Sequence, residues 1–427
     1  MHTRQLSKAF DLSFQDKYIL AFESEKMHFN SSLVLDVEGA IDESKIIAAF
    51  KRLIKEEPLT RIIPNVQTGR FHEKSFESIN LDNQINRLSE ADLENYWDKK
   101  FDFPNEIAVR LAFVKSQDSN QTQNKITKII IVFHHSIYDG HAQFNFLKDL
   151  LDIYNGESYQ PRTLDDVYKF RKYFAKTSLI WLAQLIYSFF KIKKKKNKVK
   201  IARLNDAEPA SRKVDMKLIE LDRKIMDAAA RKLALSSSAY ISLIGARAMD
   251  KLLRERGEHE RPIVLYITKS MRFELKIMRA YQNLLGFIWM KIDREDIKKP
   301  DFAKKFRDTY KFRSGEDEVK KTLLLAGIIV KLKTFASLQK MLKFKEEKIH
   351  DCTLLVSSGR TPTEMQFPEE WQITRLYAKG SMHRSPGIGL LVTSFKQKDF
   401  ICIEYLRDSF RPETINRFSD LLLEELK

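Results

Sequence analysis

Residues 126–154 change hydrophobic period at a single point. Ile126 to Phe133 is a nearly continuous apolar run of strand type. From Ala142 onward the apolar residues recur at helical spacing, through Phe146, Leu147, Leu150 and Leu151, until Asn155-Gly156 closes the helix. The junction between the two periods is His134-His135-Ser136-Ile137-Tyr138-Asp139-Gly140. Residues 107–115 read as another strand, and the polar stretch Ser116 to Asn124 reads as the loop that joins it to the first. The spacing therefore predicts an antiparallel hairpin whose second arm ends on two histidines and passes directly into a helix. Such a strand needs a sheet and such a helix needs a sheet face to cover, so the chain belongs to the mixed α/β (α+β) class.

Similar units recur. Residues 33–39 alternate like a strand, and 42–56 form a helix with Asp42 as cap and Glu57-Pro58 as stop. Residues 214–221 read as a strand, and 222–233 and 237–254 as helices. Strands are expected at 263–267, 283–292, 353–357, 389–395 and 400–405, the last two as a hairpin, and helices at 300–312, 326–345 and 412–426. A chain of 427 residues exceeds one ordinary core. The expected division is an N-terminal subdomain over 1–160, a crossover over 161–212 and a C-terminal subdomain over 213–427.

The histidine segment carries the chemistry. Neighbouring residues on a strand face opposite sides, so His134 and His135 are expected to do different work, one acting in a cleft and the other holding the loop. Histidine is the usual base for removing a proton from a hydroxyl or amine near neutral pH. Asp139 either orients that ring directly or braces the loop through an arginine, and Gly140 provides backbone freedom. The competing reading is a pair of packed or metal-binding histidines, with Asp139 and His141 completing a ligand set; no second ligand cluster accompanies them. The two cysteines, Cys352 and Cys402, lie in apolar runs and read as small hydrophobes in a reducing compartment, not as nucleophiles or a disulfide framework.

His-His-x-x-x-Asp-Gly resembles the signature of the chloramphenicol-acetyltransferase-like acyltransferases, which include peptide-synthetase condensation domains. The likeness extends over most of the chain. It takes in residues 35–61, residues 109–115, Thr268 to Arg272, Asn283 to Gly286, Leu355 to Gly359 and Gly387 to Phe410. The motif Asp-Phe-Gly-Trp-Gly of the plant-type members is absent, and Ser358 stands where many relatives carry asparagine. The resemblance implies two similar subdomains, a pseudo-dimer with a cleft or tunnel between them. It implies His135 as catalytic base and Asp139 in an ion pair with Arg272, with His134, Gly140 and Arg272 supporting the motif. Ser357 and Asn283 are candidates for the cleft or oxyanion site. No bound cofactor is implied; acyl-CoA or an acyl-phosphopantetheine carrier protein is the thioester co-substrate, and a hydroxyl or amine of a small-molecule or lipid acceptor receives the acyl group. The alternatives are a carrier-dependent, amide-forming condensation enzyme and a non-catalytic binding protein of the same fold.

The net charge of +17 calls for an anionic partner. Ser178 to Phe190 is apolar and aromatic, with Trp181, and seven lysines follow between Lys191 and Lys200, including Lys193, Lys194, Lys195 and Lys196. Three readings fit: a helix packed at the subdomain junction, an anchor on an anionic membrane surface, or a dock for an acidic carrier protein. No nucleic-acid motif accompanies the charge. The start of the chain lacks an apolar signal core and no apolar run reaches the roughly 18 residues of a membrane span, which fits a cytoplasmic protein, peripheral at the inner face of the membrane.

Overall fold

A computed structural model describes residues 10–23, 28–115, 126–162, 201–207, 213–348, 351–361, 365–382 and 385–426. The expectations for Trp181 and Lys191 to Lys200 lie outside the described residues. The chain divides into two compact units. One comprises 1–167, 277–283 and 359–381, and the other 168–276, 284–358 and 382–427.

The first unit is built on a five-stranded sheet. In chain order the first seven strands are β1 (Phe10–Asp11), β2 (Asn30–Val37), β3 (Ile62–Asn65), β4 (Arg70–Glu73), β5 (Ile85–Leu88), β6 (Val109–Lys115) and β7 (Ile126–His134). The sheet runs β12-β2-β7-β6-β5, where β12 is Ile373–Lys379; β1, β4 and β3 form a separate small sheet. The expected hairpin exists: β6 and β7 are antiparallel, with Val109 opposite Phe133 and Leu111 opposite Ile131. β2 flanks β7 on the other side and sets Asn30 opposite His134. β12 comes from late in the chain and had no counterpart among the expected strands.

Two helices cover one face of this sheet. Glu43–Glu56 begins at Asp42, whose carboxylate accepts from the Lys45 N–H at 2.9 Å, and buries Ile46, Ala49, Phe50, Leu53 and Ile54. Gly140–Tyr154 packs against it through Phe50 and Phe146, whose rings are 6.1 Å apart, and Phe146 also meets Phe133 of β7 at 5.4 Å. Phe133 therefore points to the helices, and alternation sends His134 to the opposite face. Each large side chain buried this way stabilises the unit by about 1.5–3 kcal/mol.

The second unit has a six-stranded sheet in the order β10-β9-β11-β13-β14-β8. Its strands are β8 (Val214–Asp222), β9 (Ile263–Ser270), β10 (Leu285–Ile292), β11 (Leu354–Arg360), β13 (Ile388–Phe395) and β14 (Lys398–Leu406). β13 and β14 form the expected hairpin, and the helices Arg223–Lys232, Ser237–Glu255, Phe302–Arg313 and Pro412–Glu424 fall close to their expected places. One expectation is corrected. The single helix predicted over 326–345 is two, Glu316–Lys331 and Phe335–Lys348, separated by a short turn. The first packs on β10 so tightly that a Cβ at Gly286 would lie 2.2 Å from Val319 Cγ1. Gly286 thus permits a close helix–strand approach.

Candidate active site

β7 carries the motif to the end of the sheet. The His135 N–H is held by the Phe29 carbonyl at 2.8 Å, and the His134 carbonyl accepts from both Ile137 and Tyr138 at 3.1 Å. This tight turn separates the directions of the two imidazoles, as the sequence required.

His134 is wholly buried. The edges of its ring contacts lie against Phe101 and Phe103, at 5.7 Å and 4.8 Å between centroids. Its Nδ1 accepts from the Ser136 N–H at 3.3 Å and lies 2.7 Å from the Ser136 hydroxyl. The ring hydrogen accordingly sits on Nε2, 3.1 Å from Glu23 Oε1. Burial pushes the Glu23 carboxyl up, but the charge and hydrogen bonding of His134 and the Phe29 N–H outweigh it, leaving Glu23 below its ordinary 4.5. His134 is a brace: both nitrogens are committed within the protein.

His135 is arranged the other way. It is half-buried. Its own backbone carbonyl accepts from its ring, and the same carbonyl accepts from Asn283 Nδ2 at 2.9 Å. A carbonyl only accepts, so the amide nitrogen faces it; the ring's own bond to that carbonyl assigns the His135 hydrogen to Nδ1, and Asn283 then donates to the carbonyl and not to the ring. The Asn283 nitrogen is 3.3 Å from that Nδ1. Nε2 is left with its lone pair, the form a general base needs. Burial is the largest influence on this ring and lowers its pKa below the ordinary 6.5; the hydrogen bond to its carbonyl and the charge of Asp139 pull upward, and His134 pulls down. The two adjacent histidines therefore hold opposite tautomers.

Asn283 is itself held. It ends the segment 277–283 that the first unit takes from late in the chain. The Asn145 side chain donates to the Met278 carbonyl at 2.9 Å. The Tyr281 hydroxyl donates to Asp149, a carboxylate only 1% exposed that also pairs with Arg162. The Arg162 guanidinium lies over the Tyr281 ring at 4.1 Å. Burial raises the Tyr281 hydroxyl well above its ordinary value, which keeps it a donor. The sequence offered Asn283 only as a cleft or oxyanion candidate, through the resemblance, and gave no sign of this support, because Asp149 reads as one polar position of an amphipathic helix and Tyr281 as one aromatic among many.

Asp139 is buried and caps the helix Gly140–Tyr154, its carboxylate accepting from the Ala142 N–H at 2.8 Å. The reason given above for Gly140 is corrected: its φ is not positive, and a Cβ there would meet nothing within 4 Å. Neither backbone strain nor a close neighbour accounts for glycine at that exposed position.

No protein-family model matches this chain. Solved structures do match along nearly its whole length. The epimerization domain from the third module of tyrocidine synthetase B aligns with a TM-score of 0.67 at 14% identity, over 98% of this chain and 96% of that one. The X-domain from teicoplanin biosynthesis aligns at 0.60 and 15%, over 100% and 95%. The first condensation domain of the calcium-dependent antibiotic synthetase, solved with a substrate analogue, aligns at 0.64 and 12%, over 98% and 97%. This chain has the condensation-domain fold.

In the second unit of that fold, β11 runs parallel to β9, with Val356 opposite Ile267. Thr268 Oγ1 donates to Ser357 Oγ at 2.9 Å, which leaves the Ser357 hydroxyl hydrogen available. Arg272 is fully buried at the start of the short helix Arg272–Leu275. Cys352 and Cys402 are both buried, and burial pushes the Cys352 thiol far above its ordinary range. Neither is placed to serve as a thiolate nucleophile. Among the described residues no group of three or more His, Cys, Asp or Glu side chains is gathered as a metal site, and no helix is long and apolar enough to cross a membrane.

Proposed function

We propose that the chain is an acyltransferase that moves an acyl group from a thioester to a hydroxyl or amine, with His135 as general base. The observation that carries this reading is the bare Nε2 of a half-buried histidine whose Nδ1–H is pinned by its own carbonyl, beside Asn283. A lowered pKa keeps that nitrogen unprotonated at neutral pH.

His135 Nε2 takes the proton from the acceptor O–H or N–H as the oxygen or nitrogen attacks the thioester carbonyl. A tetrahedral oxyanion forms. It collapses with cleavage of the C–S bond, and the departing sulfur takes the proton back from the imidazolium. No acyl-enzyme forms. Asp139 braces the loop as the cap of the helix Gly140–Tyr154, and Asn283 acts by holding His135. The donor is acyl-CoA or an acyl-carrier protein. A second reading, amide formation between carrier-bound groups, draws support from the likeness in fold to the first condensation domain of the calcium-dependent antibiotic synthetase.

The test is product identification. The full chain is incubated with acyl-CoA and acyl-carrier thioesters and pooled alcohol, amine and lipid acceptors, and both products and protein are weighed by mass spectrometry. Acylated acceptor with unmodified protein is the expected result. An acyl adduct on the protein would overturn the direct-transfer mechanism, and no product from any donor would favour the non-catalytic alternative.

A further inference from the structure

The helix Glu316–Lys331 has two apolar faces. Val319, Leu323 and Val330 are buried and face inward. The opposite stripe, Lys321, Leu325, Ile328 and Leu332 at positions i, i+4, i+7 and i+11, would be polar in an ordinary surface helix. Here Leu325 and Ile328 are half-exposed, Ile329 is 37% exposed, and Leu332, in the turn before the next helix, is 81% exposed. In the helix Phe335–Lys348, Leu338 and Leu342 are buried, whereas Phe344 is 59% exposed with Lys340 and Lys343 exposed beside it.

The chain around these side chains is rich in lysine, although Lys321 pairs with Glu318 at 2.7 Å and Lys345 with Asp351 at 2.8 Å. Between Glu318 and Glu346 the chain has seven lysines and no aspartate or glutamate. Lys331 and Lys333 flank Leu332 directly, and both are exposed. Large apolar side chains standing outward at a turn, each flanked by lysines whose stems can lie along an apolar layer while the ammonium groups meet anionic headgroups, match the chemistry of a bilayer interface. An acidic protein would satisfy the lysines, but a protruding Leu332 in a turn gains most from a fluid apolar layer.

We propose that the turn between these two helices, with Ile329, Leu332, Lys331 and Lys333 at its centre and Phe344, Lys340 and Lys343 extending it, binds the surface of an anionic lipid bilayer. This patch is distinct from Ser178 to Lys200 and does not depend on the transfer chemistry.

The test is flotation of the full chain with vesicles of equimolar phosphatidylcholine and phosphatidylserine, against pure phosphatidylcholine. The wild type is expected to float with the anionic vesicles, less so as salt rises. Leu332→Ser should weaken binding about tenfold, and Lys331→Gln with Lys333→Gln about 25-fold, from about fivefold per lysine. Because Leu332 is so exposed, thermal melting of these variants should match the wild type. Lys191 to Lys200 are unchanged throughout, so a difference between variants belongs to this patch. Equal flotation of wild type and variants would overturn the proposal. So would the absence of vesicle binding together with variant-sensitive capture of an acidic carrier protein, which would assign the patch to a protein partner.

Discussion

Replacing Asn283 by aspartate changes one atom type next to His135 and should move the acid limb of the pH–rate profile upward. The amide nitrogen stands 3.3 Å from His135 Nδ1. A unit negative charge about 4 Å from an imidazolium is worth about 4 kcal/mol at an effective dielectric near 20, or about three pH units at about 1.36 kcal/mol each. Asn283 is 5% exposed, so the new carboxylate is itself desolvated and also faces the His135 carbonyl. Both effects reduce the gain to about one to two units. Asp139→Asn should move the limb in the other direction, because the Asp139 charge raises the His135 pKa; asparagine still accepts from the Ala142 N–H as a cap, so the helix survives. The assay is kcat/KM against pH, which reports the free enzyme's base. In the wild type the limb should lie below 6.5, the ordinary histidine value. Stability follows the same sign: the folded state resists protonation, so this histidine costs nothing above pH 6.5 and progressively destabilises the fold as pH falls from there through its lowered pKa. A limb that stays put in both folded variants would refute the assignment of the titrating base to His135.

Other outcomes follow from the support around the site. Tyr281→Phe removes a hydrogen bond to the buried Asp149 carboxylate and should cost about 2 kcal/mol, seen as a fall of about 4–8 °C in the melting temperature. Because Tyr281 anchors the segment that ends in Asn283, kcat should fall about tenfold with little change in KM. Thiol-directed alkylation of the native protein should leave both activity and mass unchanged, since Cys352 and Cys402 are buried; rapid inactivation would contradict direct transfer without an acyl-enzyme.

Much of this arrangement was legible in the sequence wherever a local rule governs. Asp42 and Asp139 cap their helices because short carboxylates before an apolar-periodic run satisfy free N–H groups. The β6–β7 hairpin followed from two apolar runs around a polar loop. Strand alternation set His134 and His135 in different surroundings, one wholly buried and one half-buried. What escaped was non-local. β12 pairs with β2 across more than three hundred residues of chain, and nothing in Ile373–Lys379 names its partner. Glu23 meets His134 only because the helix Phe14–Phe22 ends beside the sheet. The split of the 326–345 segment was missed because its apolar residues continue on both sides of the turn, where only exposure separates Leu332 from a core position. The glycine of the motif was explained wrongly, since a sequence does not show the sign of φ.

The most direct measurement is acceptor-dependent thiol release by the wild type and by His135→Ala, alongside the melting temperature of each. The account predicts release in the wild type and a loss of activity in the variant of at least about a hundredfold, the scale of general-base catalysis, with the fold intact because His135 is only half-buried. Full activity in a folded His135→Ala protein would contradict the assignment of His135 as the base on which the mechanism rests.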